Sequence, residues 1–187
     1  MKADWGATLN GTWPSFEYEV GLSRGTGNEW SSRGDPWLFA GRIGTPRDRD
    51  IIAGFSFAHG EIQRSALPDG SLRRTRFGLD LTLRPPGTLT WMGEVSVGSD
   101  EGQDVLNALL EVDWEDSSES WLVYGQAKLF SQDFADRGWD DQFTLVAGTR
   151  WRPDSRWTLS VQWQQDLTSF DSASRDGAFI AQARLRF

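Results

Sequence analysis

The chain has 187 residues, a net charge of −8 and no cysteine. That length allows one sizeable domain, the missing cysteines exclude disulfides and thiolate metal sites, and the acidic balance argues against nucleic acid, whose binders carry a basic patch or stripe. Mean hydropathy is −0.50 and no run reaches the roughly 20 apolar residues of a membrane helix, yet alternating strands also average to a polar value. The 11 Trp, 11 Phe and 20 Gly residues say more. So many aromatics need somewhere to sit, and a membrane interface is one such place. No apolar segment follows Met1-Lys2-Ala3-Asp4, so this start is not a signal peptide; a secreted barrel would need one, and the expectation is a mature form or a chain with a supplied methionine.

In chain order, Trp5, Ala7, Leu9 and Trp13 share one parity and Gly6, Thr8, Asn10 and Thr12 the other, which is the period of a strand. Pro14-Ser15 breaks the run, and Phe16, Tyr18, Val20 and Leu22 resume against Glu17, Glu19 and Gly21. Arg24 to Pro36, rich in Gly, Ser and charge, predicts a loop. Trp37, Phe39, Gly41 and Ile43 form the next row, Thr45 to Asp50 a short turn, and Ile51, Ala53, Phe55 and Phe57 another row. His59 to Ser71 predicts a longer loop holding the turn signal Pro68-Asp69-Gly70.

The cleanest alternation sets Phe77, Leu79, Leu81 and Leu83 against Gly78, Asp80, Thr82 and Arg84. Pro85-Pro86-Gly87 turns the chain into Leu89, Trp91, Gly93, Val95 and Val97. Ser99 to Asp104 breaks the row before Ala108, Leu110, Val112 and Trp114, and Glu115 to Ser120 is a short turn. Trp121, Val123, Gly125, Ala127 and Leu129 lead to an expected acidic loop, Ser131 to Gln142. Phe143, Leu145, Ala147 and Trp151 follow, then a turn at Arg152 to Arg156, the row Trp157, Leu159, Val161 and Trp163, and a loop at Ser169 to Asp176. No apolar stripe of helical period and length occurs.

The last eleven residues, Gly177 to Phe187, alternate without a break: Phe179, Ala181, Ala183, Leu185 and Phe187 against Ile180, Gln182, Arg184 and Arg186. Chain ends normally fray into water, so an apolar strand ending on an aromatic marks a used end. This tail resembles the C-terminal signal of bacterial outer-membrane β-barrels. The resemblance implies that Phe179, Leu185 and Phe187 are read by the barrel assembly machinery and that the protein lies in the bacterial outer membrane.

The rest of the chain repeats the design. About eleven strands of roughly 9–11 residues match a tilted bilayer span, and turns alternate short and long as transmembrane barrels require. Trp13 and Phe16, Trp114 and Trp121, and Trp151 and Trp157 flank short turns, which predicts an aromatic girdle at one interface; the alternative is the aromatic core of a soluble β-domain. Glu17, Glu19, Arg42, Asp80, Arg84, Glu94, Glu111, Asp113, Lys128, Arg150, Arg184 and Arg186 fall opposite the apolar rows and are expected to line a lumen, where mixed signs pair because isolated buried charges are costly. The expected fold is an all-β, antiparallel up-and-down transmembrane β-barrel of about 10–12 strands, with 1–187 as one domain. Single-chain bacterial barrels usually have even strand numbers, so residues 1–13 are an extra strand or an extension, or the chain is the C-terminal part of a larger barrel.

Three functions follow. The leading one is a narrow porin-like channel for small solutes or ions; equally open for so few strands is a filled polar interior. A second is a structural or partner-binding barrel of an envelope or export complex, or a homo-oligomer, meeting the lipid bilayer and lipopolysaccharide, with Arg64, Arg73, Arg74 and Arg76 near the outer rim where guanidinium suits phosphate. The third is a rim enzyme of the kind that modifies lipid A or cleaves proteins, which would use His59, the only histidine, with Glu61 or Ser65; no dyad spacing supports it. Asp133, Asp136, Asp140 and Asp141 match no calcium loop, and neither metal nor cofactor is expected.

Overall fold

A computed structural model describes residues 5–24, 36–63, 71–168 and 177–185. Eleven strands follow one another: β1 Gly6–Thr12, β2 Glu17–Ser23, β3 Leu38–Gly44, β4 Ile51–Gln63, β5 Ser71–Leu83, β6 Leu89–Asp100, β7 Gln103–Glu115, β8 Trp121–Phe134, β9 Gly138–Trp151, β10 Trp157–Thr168 and β11 Gly177–Leu185. Each pairs antiparallel with its sequence neighbours in one meandering sheet. The segment expected to be a strand or an extension is a strand, in register with β2 from Gly6 opposite Ser23 to Thr12 opposite Glu17. Among the described residues, β1 pairs only with β2 and β11 only with β10. With eleven strands in a meander, β1 and β11 run in the same direction.

At one end the connections are the expected short turns. Trp13 N–H bonds the Phe16 carbonyl at 2.7 Å, and Asp116 Oδ1 accepts from the Trp121 N–H at 2.7 Å.

The other end departs from expectation. The break expected over Ser99 to Asp104 is a two-residue hairpin turn, Glu101-Gly102, both at positive φ (55° and 81°), the conformation of the type I′ turn that matches strand twist. The acidic loop expected over Ser131 to Gln142 is mostly strand, since β8 runs to Phe134 and β9 begins at Gly138. His59 to Gln63 and Ser71 likewise belong to β4 and β5. Apolar alternation fades in these extensions, but the ladder continues on polar cross-strand pairs such as Ser131 with Asp141 and Arg74 with Asp100. The short-long rhythm therefore fails at these two hairpins, and β4 to β10 are 12 to 14 residues long.

The two faces divide as the alternation dictates. The apolar rows are solvent-open: Leu9, Phe39, Phe55, Leu79, Val95, Leu110, Val123 and Val161 are all exposed. Conversely the deeply buried apolar residues, Ile52, Leu72, Val105 and Val146, occupy the parity of the charged row. A soluble β-domain would bury the leucine rows; this sheet turns them out.

Candidate functional site

Strand register places Glu17, Gly44, Gly54, Asp80 and Glu94 in one line across β2 to β6. Arg42, two residues before Gly44, extends over this line. Its Nε donates to Asp80 Oδ1 at 2.9 Å and its Nη2 to Asp80 Oδ2 at 2.7 Å, a bidentate pair spanning the whole of β4. Its Nη1 donates to Glu17 Oε1 at 3.2 Å. Glu17 also pairs with Arg47 Nε at 2.8 Å, so Arg47, Glu17, Arg42 and Asp80 form a chain of alternating charge.

A cavity of about 610 Å³ on this face is lined by residues from β1 through β6, among them Thr8, Glu19, Arg42, Ser56, Arg76 and Glu94. A single hollow reaching six strands requires the sheet to curve with its polar face inward. A second hollow of about 480 Å³ continues along the same face past Asn107, Lys128 and Thr144.

Farther round, Glu111 Oε2 accepts from Gln126 Nε2 at 2.6 Å, and Asp113 Oδ1 is buried without a hydrogen-bond partner among the described residues. Tyr124 Oη donates to Gln162 Oε1 at 2.9 Å, passing over Gly148, where a Cβ would lie 2.5 Å from the phenol ring. Lys128 is opposite Leu109, which is opposite Glu94. Arg150 is opposite Leu122 and Ser160, and Arg184 is opposite Thr158 on exposed β11. Arg84 differs from the others: it sits in the β5–β6 turn, with its N–H on the Asp50 carbonyl at 2.7 Å and its Nη1 on the Arg47 carbonyl at 3.0 Å. Arg186 lies outside the described residues.

Of the rim arginines, Arg74 and Arg76 face the polar side and both grip Asp100, with Nη2 to Oδ2 distances of 2.9 and 2.7 Å. Asp100 is 8 % exposed. The parity that carries Gly78, Asp80 and Thr82 simply continues through 74 and 76, and this was the available signal. Arg73 takes the opposite parity and bonds Glu101 Oε1 through its N–H at 2.8 Å. Arg64 lies outside the described residues.

His59 shares the parity of Phe55 and Phe57 and stands opposite Phe39 and Thr75, with its Nδ1 2.9 Å from Thr75 Oγ1. Glu61 stands opposite Arg73, and Ser65 lies outside the described residues. Among the acidic residues, Asp140 pairs with Arg137 at 3.5 Å and Asp141 accepts from Ser131.

The six aromatics expected as a girdle, Trp13, Phe16, Trp114, Trp121, Trp151 and Trp157, are all exposed and all flank short turns. Trp13 stacks on Phe16 with centroids 5.9 Å apart and Trp121 on Trp151 at 5.5 Å. Sequence reading missed Trp5, Trp37 and Trp139, exposed at the opposite end of the sheet. On β11, Phe179 is 80 % exposed and Leu185 39 %; Phe187 lies outside the described residues.

An all-antiparallel meander with an apolar exterior and a curved, ion-paired interior face is the architecture of bacterial outer-membrane β-barrels. Solved structures bear this out at the level of fold. A porin refined at 1.8 Å has a TM-score of 0.71 at 13 % identity, with 97 % of this chain and 61 % of the porin covered. An OmpT loop-deletion variant from Vibrio cholerae, an outer-membrane protein, gives 0.75 at 10 % identity over 96 % and 62 %. An anion-selective porin from Comamonas acidovorans gives 0.68 at 13 % identity over 98 % and 55 %. The chain thus spans about three fifths of the length of these barrels. No protein-family model matches it, and no curated protein sequence does either.

Proposed function

We propose that the chain forms the wall of a narrow porin-like channel for small solutes or ions in the bacterial outer membrane. The observation that carries this reading is the inversion of the two faces, with exposed rows of Leu, Phe and Val outside and an ion-paired, hollowed face within. Lipid suits the first face and water the second. In this reading Glu17, Glu19, Arg42, Asp80, Glu94, Glu111, Asp113, Lys128, Arg150, Arg184 and Arg186 line the passage, joined by Arg74, Arg76 and Asp100, while Arg84 sits at its mouth. The aromatics at the two ends mark the two interfaces, and β11 with Phe187 is the strand the assembly machinery engages. Its outer surface meets lipid and lipopolysaccharide.

Transport rather than catalysis is supported by the setting of His59, which stands on the apolar parity opposite Phe39 and is not among the residues that line the hollow. The test is reconstitution in a planar bilayer. Discrete conductance steps are expected; a flat baseline from correctly folded protein would leave a filled barrel with a structural or partner-binding role.

A further inference from the structure

We infer that Gly54, with Gly44 beside it, is a recess that seats the Arg42 guanidinium flat against the wall, and that this seat sets how wide the passage is at that level. The inference rests on the channel reading for its functional meaning, but the seat itself is a matter of geometry. Three features coincide there. Gly44 and Gly54 are adjacent on neighbouring strands and lie between Glu17 and Asp80 in one register line. The guanidinium occupies the space their side chains would fill: a Cβ on Gly54 would lie 2.6 Å from Arg42 Cζ and 2.6 Å from Asp80 Oδ1, and a Cβ on Gly44 would lie 3.0 Å from both Nη atoms. The seated arginine is held at both ends, by Asp80 and by Glu17.

With a side chain at position 54 the arginine would have to rise off the sheet to reach Asp80, bringing its charge farther into the hollow that Arg42 lines. Seated, it bridges two carboxylates and leaves the hollow open. Arg42, Glu17 and Asp80 side chains are correspondingly only 20 %, 17 % and 27 % exposed. Glu19 and Glu94 flank the seat and line the same hollow, and neither makes an ion pair among the described residues. Glu19 and Glu94 therefore face the hollow without an ion pair while the Arg42 charge is drawn into its two bridges. Gly54, which carries no chemistry itself, becomes a specificity-determining residue.

The test is a double-mutant cycle on Gly54→Ser and Arg42→Ala, because what the added atoms meet at position 54 are movable side-chain ends, whereas a Cβ at position 44 also meets the Ala53 carbonyl at 2.6 Å. Folding of each variant is checked by its heat-dependent gel mobility. Two readouts are taken, labelling of Arg42 by phenylglyoxal, located by peptide mass spectrometry, and unitary conductance. Gly54→Ser is expected to raise Arg42 labelling severalfold and to lower conductance, and in the Arg42→Ala background it is expected to lose most of its effect on conductance. Unchanged labelling in Gly54→Ser, or a conductance loss that persists without the arginine, would overturn the seat. A folded wild-type chain with no conductance would remove the channel reading alone, since the labelling arm still reads the seat.

Discussion

At the scale of single residues, the structure concentrates its polar commitments in a few strongly held groups. Asp100 holds two guanidiniums from alternate positions on β5, Arg74 and Arg76. Replacing it by asparagine strands two positive charges against each other. Breaking a buried pair costs about 3–5 kcal/mol, but the Arg74 side chain is 33 % exposed and water screens it, so a loss of about 2–3 kcal/mol is expected in urea unfolding from lipid vesicles. The Asp116 carboxylate offers a pH signature. In the β7–β8 turn the Ser118 hydroxyl, and then the Trp121 N–H, hold its pKa below the ordinary aspartate value. A group with a folded pKa lowered in this way stabilises the fold above the unfolded value, about 3.9, and loses that contribution as pH falls through the folded value. Asp116→Ala is therefore expected to unfold more readily than the wild type at pH 7, with the gap closing in strong acid, as measured by parallel denaturant titrations.

At the scale of strands, the alternation was plainly legible, while the ends were not. Phe77, Leu79, Leu81 and Leu83 could be assigned to one face from their spacing alone, because a period of two leaves no other choice. The continuation of β8 and β9 through Ser131 to Gln142 could not, since its ladder is carried by hydroxyl-carboxylate pairs and charges that look like loop composition. The bridges were hidden for a related reason. Arg42 and Asp80 are 38 residues apart, and only strand register reveals that the β4 position opposite Asp80, which the guanidinium crosses, is a glycine. The division of faces makes a paired expectation. Leu79→Lys puts a charge at the middle of the outer row and should destabilise the protein in bilayers by about 2–4 kcal/mol, whereas Ser96→Lys, on the opposite face beside a hollow, should cost much less. Equal penalties for the two would contradict the assignment of lipid to the leucine face. Trp121→Ala, which removes one ring of a stacked pair beside the short turns, should cost about 0.5–1.5 kcal/mol beyond the lost area.

At the scale of the molecule, the exposed apolar rows explain why average hydropathy misleads: the chain spreads its greasy positions singly along strands rather than gathering them into runs. What remained illegible was the sheet's perimeter, because spacing within strands carries no information about what lies beside the outermost ones. The even count usual in bacterial barrels is a rule about rings in which every seam is antiparallel. Here the first and last strands point the same way, so a direct zip between them would use the slanted bonding of parallel neighbours, unlike the ten seams that the sheet contains. A cysteine at Leu9 and another at Ala181, introduced into a chain that has none of its own, are accordingly expected not to cross-link within one copy under oxidation; a ready intramolecular disulfide would reveal a parallel join. Where hydrocarbon replaces water, unmet peptide groups are intolerable. An arrangement that keeps all its seams antiparallel would set an odd number of strands between those two margins.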